Sequence, residues 1–345
     1  MNRGGPGGPG GPATILAVTM GEPAGIGGKL TIKAWRRQPD LAAPFVAIDD
    51  ADRLSRLAAE LDTGVPVRAV ATPAEAAHVF AEALPVIDTP LAVPATPGNI
   101  DPANADTVLA SIETAARLAR AGEVGGLVTN PIHKRSLYAA GFQHPGHTEF
   151  LAKMAGPDVE PVMMLACEGL RTVPVTTHLS LKEALAALTP ERIVSQARIT
   201  ADALARDCGL TGTRLAVAGL NPHAGEDGTM GDEEKDVIEP AIQALRAEGF
   251  AVTGPHSPDT LFSAFMRKTY EAAVCMYHDQ ALIPIKTPDF AGGVNITLGL
   301  PFVRTSPDHG TALDIAAKGV ADETSLIAAL RMAADIARHR AAAEA

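Results

Sequence analysis

The sequence predicts a two-domain α/β fold with mostly parallel sheets and a cleft between the domains. Three observations predict it. Apolar runs of about four to six residues, short enough to be strands buried on both faces, alternate with longer stretches of helical period. The chain has 345 residues, enough for roughly two domains with substantial cores. Apolar residues make up 46% of it but aromatics only 4%, so small aliphatic side chains must pack helices against a buried sheet.

The elements follow in order. Residues 1–12 include the run GGPGGPGGP, which has nothing to bury and lacks the apolar stretch of a signal peptide, so a flexible tail is expected. Residues 14–19 are β-prone, and a Gly/Pro-rich loop, 21–28, leads into a helix over 29–37. A strand at 45–48, a helix from 51 and a strand at 65–70 continue the alternation. A long amphipathic helix covers 104–121, and 125–129 is the next strand. Further strands are expected at 161–167, 172–177, 214–220, 272–277 and 294–298. Helices are expected at 181–188, 191–208, 233–248 and 326–342. No internal repeat is visible. The expected division is a first α/β domain of residues 13–131 plus 300–345 and a second of residues 132–299.

A formal net charge of −11 argues against nucleic acid as a partner, because phosphate backbones select Lys- and Arg-rich surfaces. It leaves room for a small anion, since the local field of a cleft outweighs net charge. No apolar run approaches the ~20 residues that span a bilayer, so no membrane partner is expected. The cysteines Cys167, Cys208 and Cys275 are odd in number and lie in or beside apolar runs. They read as buried free thiols in a reducing cytoplasm, the expected location.

Two glycine-containing segments invite a nucleotide. Met20 to Gly28 follows a strand and opens a helix, but its spacing is not G-x-G-x-x-G, and Lys29 is followed by Leu30 rather than Ser or Thr. A tight structural turn is the expectation there, although Asp49 and Asp50 end the second strand where a ribose-binding acid would sit. The second segment, Ser306 to Ala316, reads SPDHGTALDIA. It resembles the HGSAPDIAG stretch of isopropylmalate and isocitrate dehydrogenases, where a loop entering a helix holds the adenosine end of NAD(P). Small residues allow close backbone approach, and Asp accepts from ribose hydroxyls. This marks Asp308, His309, Gly310, Thr311 and Asp314 as cofactor candidates. On residues alone, an ordinary helix N-terminus capped by Thr311 or Asp308 reads equally well.

Three histidines carry the positional argument. His178 closes the run TVPVTT, His223 follows LAVAGL by an Asn-Pro step, and His278 closes AVCMY. Each stands at the carboxyl end of an expected core strand, the edge where open α/β sheets bind ligands. One such histidine is more often structural; three in equivalent positions, beside Asn221, Asp279 and Gln280, point to a catalytic metal with open coordination positions. His256 and His78 lack that placement and read as surface or loop residues. Asn130 follows another strand, and Gly146-His147-Thr148-Glu149 opens a helix, where anions are favoured. Lys286, Asn295 and Arg304 follow within a short stretch and suit a phosphate or carboxylate, although Lys286 alone reads equally as a solvated surface charge.

The segments GEPAGIG, GLVTNPIHK, GHTEFLA, TTHLSL, GLNPHAGE, DTLF, YHDQALIP and TSPDHGTALDIA together resemble the 4-hydroxythreonine-4-phosphate dehydrogenase (PdxA-type) family of vitamin B6 biosynthesis. The matching segments run from about Thr14 to Ala316, and NPHAGE and YHDQ are the most specific. The resemblance implies an isocitrate/isopropylmalate dehydrogenase-like fold and a homodimer whose cleft site draws ligands from both subunits. It implies His178, His223 and His278 as metal ligands, with His147, Thr148, Lys286, Asn295 and Arg304 on the substrate. Asp259 matches an acidic position near the site, and Asp259, Asp279 and Lys286 are candidates to accept the alcohol proton. The implied reaction is metal-dependent oxidation of 4-phosphooxy-L-threonine by NAD or NADP, followed by loss of CO2 to give 3-amino-2-oxopropyl phosphate. The metal could be Zn, Mg, Co or Mn, since imidazole accepts several divalent ions. Alternatives on the same fold are a dehydrogenase of D-threonate or D-erythronate 4-phosphate, one of an aromatic cis-dihydrodiol, or a metal-dependent binding or sensor protein. One departure stands out: the family's glycine loop commonly ends in Glu, and here Lys29 follows Gly27-Gly28.

Overall fold

Strands buried on both faces must be apolar throughout, and the first strand, β1 (Leu16–Thr19), is buried at every residue. The structure is a computed structural model that describes residues 15–139, 141–144 and 146–344; the expected tail 1–12 and Thr14 lie outside them. After β1 come α1 (Gly27–Arg36), β2 (Phe45–Asp49), α2 (Ala51–Glu60), β3 (Val67–Val70), α3 (Pro73–Val79), β4 (Leu84–Asp88), α4 (Ala105–Arg120) and β5 (Leu127–Val128). Then follow α5 (Lys134–Ala139), α6 (His147–Ala155), the hairpin β6 (Val162–Cys167) and β7 (Leu170–Pro174), α7 (Leu181–Ala187), α8 (Pro190–Cys208) and β8 (Arg214–Ala218). The chain closes with α9 (Glu239–Ala247), β9 (Ala251–His256), α10 (Pro258–Leu261), β10 (Ala272–Cys275), α11 (His278–Lys286), β11 (Val294–Leu298), β12 (Arg304–Pro307) and α12 (Thr324–Glu344).

All twelve strands join one sheet in the order β3-β4-β2-β1-β5-β12-β11-β6-β7-β10-β8-β9. From β3 to β12 every pairing is parallel, as is every pairing from β7 to β9. Three antiparallel pairings, β12 with β11, β11 with β6 and β6 with β7, form the seam between the two blocks. The blocks therefore run in opposite directions. The expected α/β character with a mostly parallel sheet is present, and the strands form a single mixed sheet.

Five elements depart from the sequence reading for identifiable reasons. β4 contains Pro85, and β9 contains Gly254-Pro255, residues that argue against a strand. β12 is polar (Arg-Thr-Ser-Pro) yet buried throughout, so no apolar run announces it. α11 carries Pro284 in its interior, which masks the helical pattern. The stretch expected as one helix over 233–248 begins instead with a π-helical turn, Glu234–Ile238.

Around the glycine loop, the tempting ribose acid is committed elsewhere. Arg53 reaches both Asp49 carboxylate oxygens at 2.8 and 2.9 Å and donates to the Pro23 carbonyl at 2.9 Å, all buried. Asp50 caps α2 by accepting from Arg53 N. Lys29 is committed within the fold: its Nζ donates to the Ala316 carbonyl at 2.9 Å and lies 3.7 Å from Glu60. One turn on, Lys33 holds the Gly319 carbonyl at 2.8 Å and the Ala321 carbonyl at 2.5 Å. The Lys29 departure is thus structural, an ammonium tying α1 to the segment before α12. Among the described residues no helix is long and apolar enough to cross a membrane.

Candidate active site

The seam carries a buried cation with no carboxylate hydrogen-bonded to it. Arg304, on β12, is 4% exposed. Its Nε and Nη2 donate to Thr129 Oγ1 at 3.2 and 2.8 Å, and Nη1 donates to Thr297 Oγ1 at 2.9 Å and to Asn295 Oδ1 at 3.4 Å. Every partner is neutral. Burial pushes its pKa down to about 10, with the carboxylate of Glu149 pulling the other way. A charge held so far from water without a counterion is costly unless an anion completes it.

His147 opens α6 beside this cation. Its Nε2 is enclosed and has no hydrogen-bond partner. Burial, then Arg304 and Lys134, hold its pKa well below the ordinary 6.5, so the ring is neutral near neutral pH. Thr148 follows it, half-buried. Asn130 is fully buried; its Nδ2 donates to the Thr19 carbonyl and to Thr31 Oγ1, while its Oδ1 is enclosed without a partner. The glycine loop presses against it: a Cβ on Gly21, whose φ is +68°, would come within 2.7 Å of the Asn130 Cβ. That close approach explains the glycine.

Glu22 in the same loop was not singled out by sequence reasoning. It is buried, accepts from Ala24 N at 3.1 Å and from Ser136 Oγ at 3.4 Å, and burial is the main reason its pKa is raised. Thr129, Lys134 and Thr297 were missed as well. For Thr129 the signal was available, since it ends a core strand directly before Asn130.

The cofactor candidates lie together. Asp308 pairs with Lys286 at 3.1 Å, and Lys286 Nζ also sits 5.7 Å from the Phe290 ring centre. His309 Nε2 is a further enclosed atom without a partner. The Thr311 carbonyl accepts from Ile26 N, joining this segment to the glycine loop. Asp314 is exposed. The expectation of a loop entering a helix needs correcting: residues 313–318 are turns, and the next helix is α12. Turn hydrogen bonds such as Ala316 N to the Leu313 carbonyl, together with the Ala316, Gly319 and Ala321 carbonyls that Lys29 and Lys33 hold, fix this stretch.

Of the three metal-candidate histidines, the chain brings two together. The His178 and His278 rings have centroids 5.8 Å apart and border a cavity of about 180 Å³ with Leu179, Leu181, Tyr277 and Asp279. An ion about 2.0–2.1 Å from one nitrogen of each ring fits that span. His278 Nδ1 hydrogen-bonds Asp279 Oδ1 at 2.7 Å, which orients the ring and leaves Nε2 as the nitrogen available to a ligand. Desolvation, Lys134 and His278 lower the pKa of His178, favouring the neutral ring a metal needs. The donor chemistry therefore fits a divalent ion.

His223 is exposed and stands apart from this pair, in a run from His223 to Asp227 that has positive φ throughout. Among the described residues, no group of three or more His, Cys, Asp or Glu in the single chain is arranged to hold a metal. Asp259 is exposed and accepts from Ser257 Oγ at 2.6 Å, on a short helix that packs against the His223 segment.

Comparison with known proteins adds independent evidence. Residues 40–333 match the family described as pyridoxal phosphate biosynthetic protein PdxA. The 4-hydroxythreonine-4-phosphate dehydrogenase of Caulobacter vibrioides is 52% identical over 330 residues, covering 94% of this chain and 98% of that protein. The crystal structure of 4-hydroxythreonine-4-phosphate dehydrogenase from Klebsiella pneumoniae superposes with a TM-score of 0.86 at 40% identity, covering 94% of this chain and 98% of that one. A terephthalate 1,2-cis-dihydrodiol dehydrogenase from Burkholderia xenovorans is more distant, at 29% identity and a TM-score of 0.63 over 93% and 98% of the two chains. On sequence and fold together, this chain belongs to the PdxA family of pyridoxal phosphate biosynthetic proteins.

Proposed function

We propose that this chain is a 4-hydroxythreonine-4-phosphate dehydrogenase. It oxidises the C3 hydroxyl of 4-phosphooxy-L-threonine with NAD or NADP, and the resulting 3-oxo acid loses CO2 to give 3-amino-2-oxopropyl phosphate. The observation that carries the reading is the buried guanidinium of Arg304, whose hydrogen-bond partners among the described residues are the neutral Thr129, Thr297 and Asn295. Such a cation awaits a dianionic group, and Arg pairs with phosphate through parallel hydrogen bonds. Neutral His147 and Thr148 supply further partners at the amino end of α6.

Lys286 joins the substrate side to the cofactor side through Asp308, so binding of an anion beside it redistributes that pair. His178 and His278, with His223, would hold the divalent ion, and Asp279 fixes the His278 ring. When bound, that ion would supply Lewis acidity at the site and the nicotinamide would supply the oxidising power. Asp259, Asp279 and Lys286 remain the groups proposed to take the proton.

The proposal includes a homodimer that completes the site. His178 and His278 lie next to an apolar groove of about 460 Å³ lined by Leu181, Leu185, Leu188, Leu220, Met276 and Tyr277. Leu181 is 70% exposed there, more than a lone surface leucine needs and consistent with a partner surface. The two-domain division, 13–131 plus 300–345 and 132–299, is likewise proposed; its boundary between β11 and β12 coincides with the antiparallel seam. The three free thiols fit the proposed cytoplasmic location.

A second reading has one specific observation behind it. The similarity to a dihydrodiol dehydrogenase, together with an Arg304 that suits a carboxylate as well as a phosphate, favours an aromatic cis-dihydrodiol acid. Purified protein with a divalent ion and each nicotinamide should produce reduced nicotinamide with 4-phosphooxy-L-threonine far faster than with D-threonate 4-phosphate, D-erythronate 4-phosphate or the dihydrodiol. Preference for the dihydrodiol would replace the assignment. No reduction with any of them would leave a binding or sensor protein.

A further inference from the structure

The turn bearing His223 holds consecutive non-glycine residues in the left-handed region. His223, Ala224, Glu226 and Asp227 all have φ between 43° and 58°. For residues other than glycine this conformation costs roughly 1–2 kcal/mol each, and it persists only where surrounding structure dictates it. Two buried side chains do the dictating. Glu234, on the π-helical turn, is 4% exposed, and its Oε1 accepts from both Leu220 N and Asn221 N at 2.7 Å. Its Oε2 accepts from Asn221 Nδ2 at 2.9 Å, and a Cβ on Gly225 would lie 2.7 Å from that same oxygen. Gln280, 6% exposed, accepts from Met276 N at 2.6 Å and donates to the Gly219 carbonyl at 2.7 Å. One amide thus ties the turn before His278 to the strand end before His223.

We propose that Glu234 and Gln280 are positioning residues for the metal: together they lock the His223 turn against the His278 turn so that the two imidazoles are presented in fixed relation. Neither side chain ligates. Glu234 fixes the conformation of the His223 turn, and Gln280 fixes its distance from His278. The π-helical turn has a purpose on this reading, because such bulges re-aim single side chains at functional sites. The inference rests on the proposed metal role of the histidines, and its test separates the two.

The test is titration of the metal-free full-length protein with Co2+ alone, read by calorimetry and by the visible absorption of the bound ion, which reports ligand geometry. Glu234→Ala and Gln280→Met should each raise the Co2+ dissociation constant by about 10–100-fold, the usual effect of losing a residue that orients a ligand, and should alter the band shape. Glu234→Gln retains an oxygen for the two backbone donors and should recover most of the affinity. The control is Asp207→Asn, which breaks a buried ion pair with Arg206 and Arg340 away from the histidine turns; it should lower thermal stability and leave Co2+ affinity and spectrum unchanged. Wild-type affinity and spectrum in both Glu234→Ala and Gln280→Met would overturn the proposal, as would an equal loss in Asp207→Asn at matched stability. If Glu234→Ala does not fold, Gln280→Met decides by the same criteria. No Co2+ binding by the wild type, or unchanged binding in His223→Ala, would overturn the metal role itself and this inference with it; loss in His223→Ala alone would sink only the positioning claim.

Discussion

At the scale of single residues, the site is defined by polar atoms left unsatisfied. Arg304 has neutral partners only, and His147 Nε2, Asn130 Oδ1 and His309 Nε2 are enclosed without any. Replacing Arg304 with Lys keeps the charge but not the paired donors. The expected outcome is a rise in KM for the phosphorylated substrate of about 10–150-fold, equivalent to losing one charged hydrogen bond of ~1.5–3 kcal/mol; initial-rate kinetics check it. His147 supplies a pH signature. Its folded pKa is depressed, so the folded state binds fewer protons than the unfolded chain as pH falls below 6.5. Stability is therefore full above that value and declines through the acid range toward the lowered pKa. Thermal melts across that range should show the decline, and His147→Asn should flatten part of it. Sequence alone made the three histidines legible because each follows an apolar run. It did not reveal Glu22 or Thr297, whose importance comes from what the fold stacks beside them.

At the scale of elements, legibility followed hydrophobic pattern. β2, β6, β8, β10 and β11 and the long helices α4, α8 and α12 were readable because burial and period agree in them. β12 was not, since its polar side chains find buried partners on neighbouring elements: Arg304 on Thr129, just after β5, and Thr305 Oγ1 on the Ala329 carbonyl of α12 at 2.9 Å. Helix α1 illustrates the converse. Its Lys29 stands where the family's loop commonly has Glu, yet it anchors the segment leading to α12. Lys29→Met should lower unfolding free energy by about 1.5–3 kcal/mol, the worth of a charged hydrogen bond. Lys29→Glu should lower it further, because a buried carboxylate would then face both the Ala316 carbonyl and Glu60. Urea denaturation monitored by circular dichroism distinguishes the three proteins.

At the scale of the whole molecule, the sheet brings His178 and His278 together, and among the described residues no third His, Cys, Asp or Glu joins them in a metal-holding group within one chain. The alternation of strands and helices made the α/β class legible, whereas the central pairing of the seam, β11 with β6, joins segments far apart in the chain and no local pattern encodes it. If two protomers share each site, Arg304→Met and His223→Ala proteins, each inactive, should complement when mixed and allowed to exchange. Statistical reassortment of two-fold dimers then restores about a quarter of wild-type activity; an inactive mixture despite proven exchange would place both residues in one subunit's site. The position of β12 has a further consequence, for synthesis. It fills the gap beside β5 although Arg304 and Thr129 are 175 residues apart in the chain. At translation speeds of ~5–20 residues per second, β5 waits roughly ten to thirty-five seconds on the ribosome with its hydrogen-bonding edge bare. The nascent N-terminal half should therefore be an obligate chaperone client, and ribosome-stalled chains ending before residue 300 should aggregate on release where full-length chains do not.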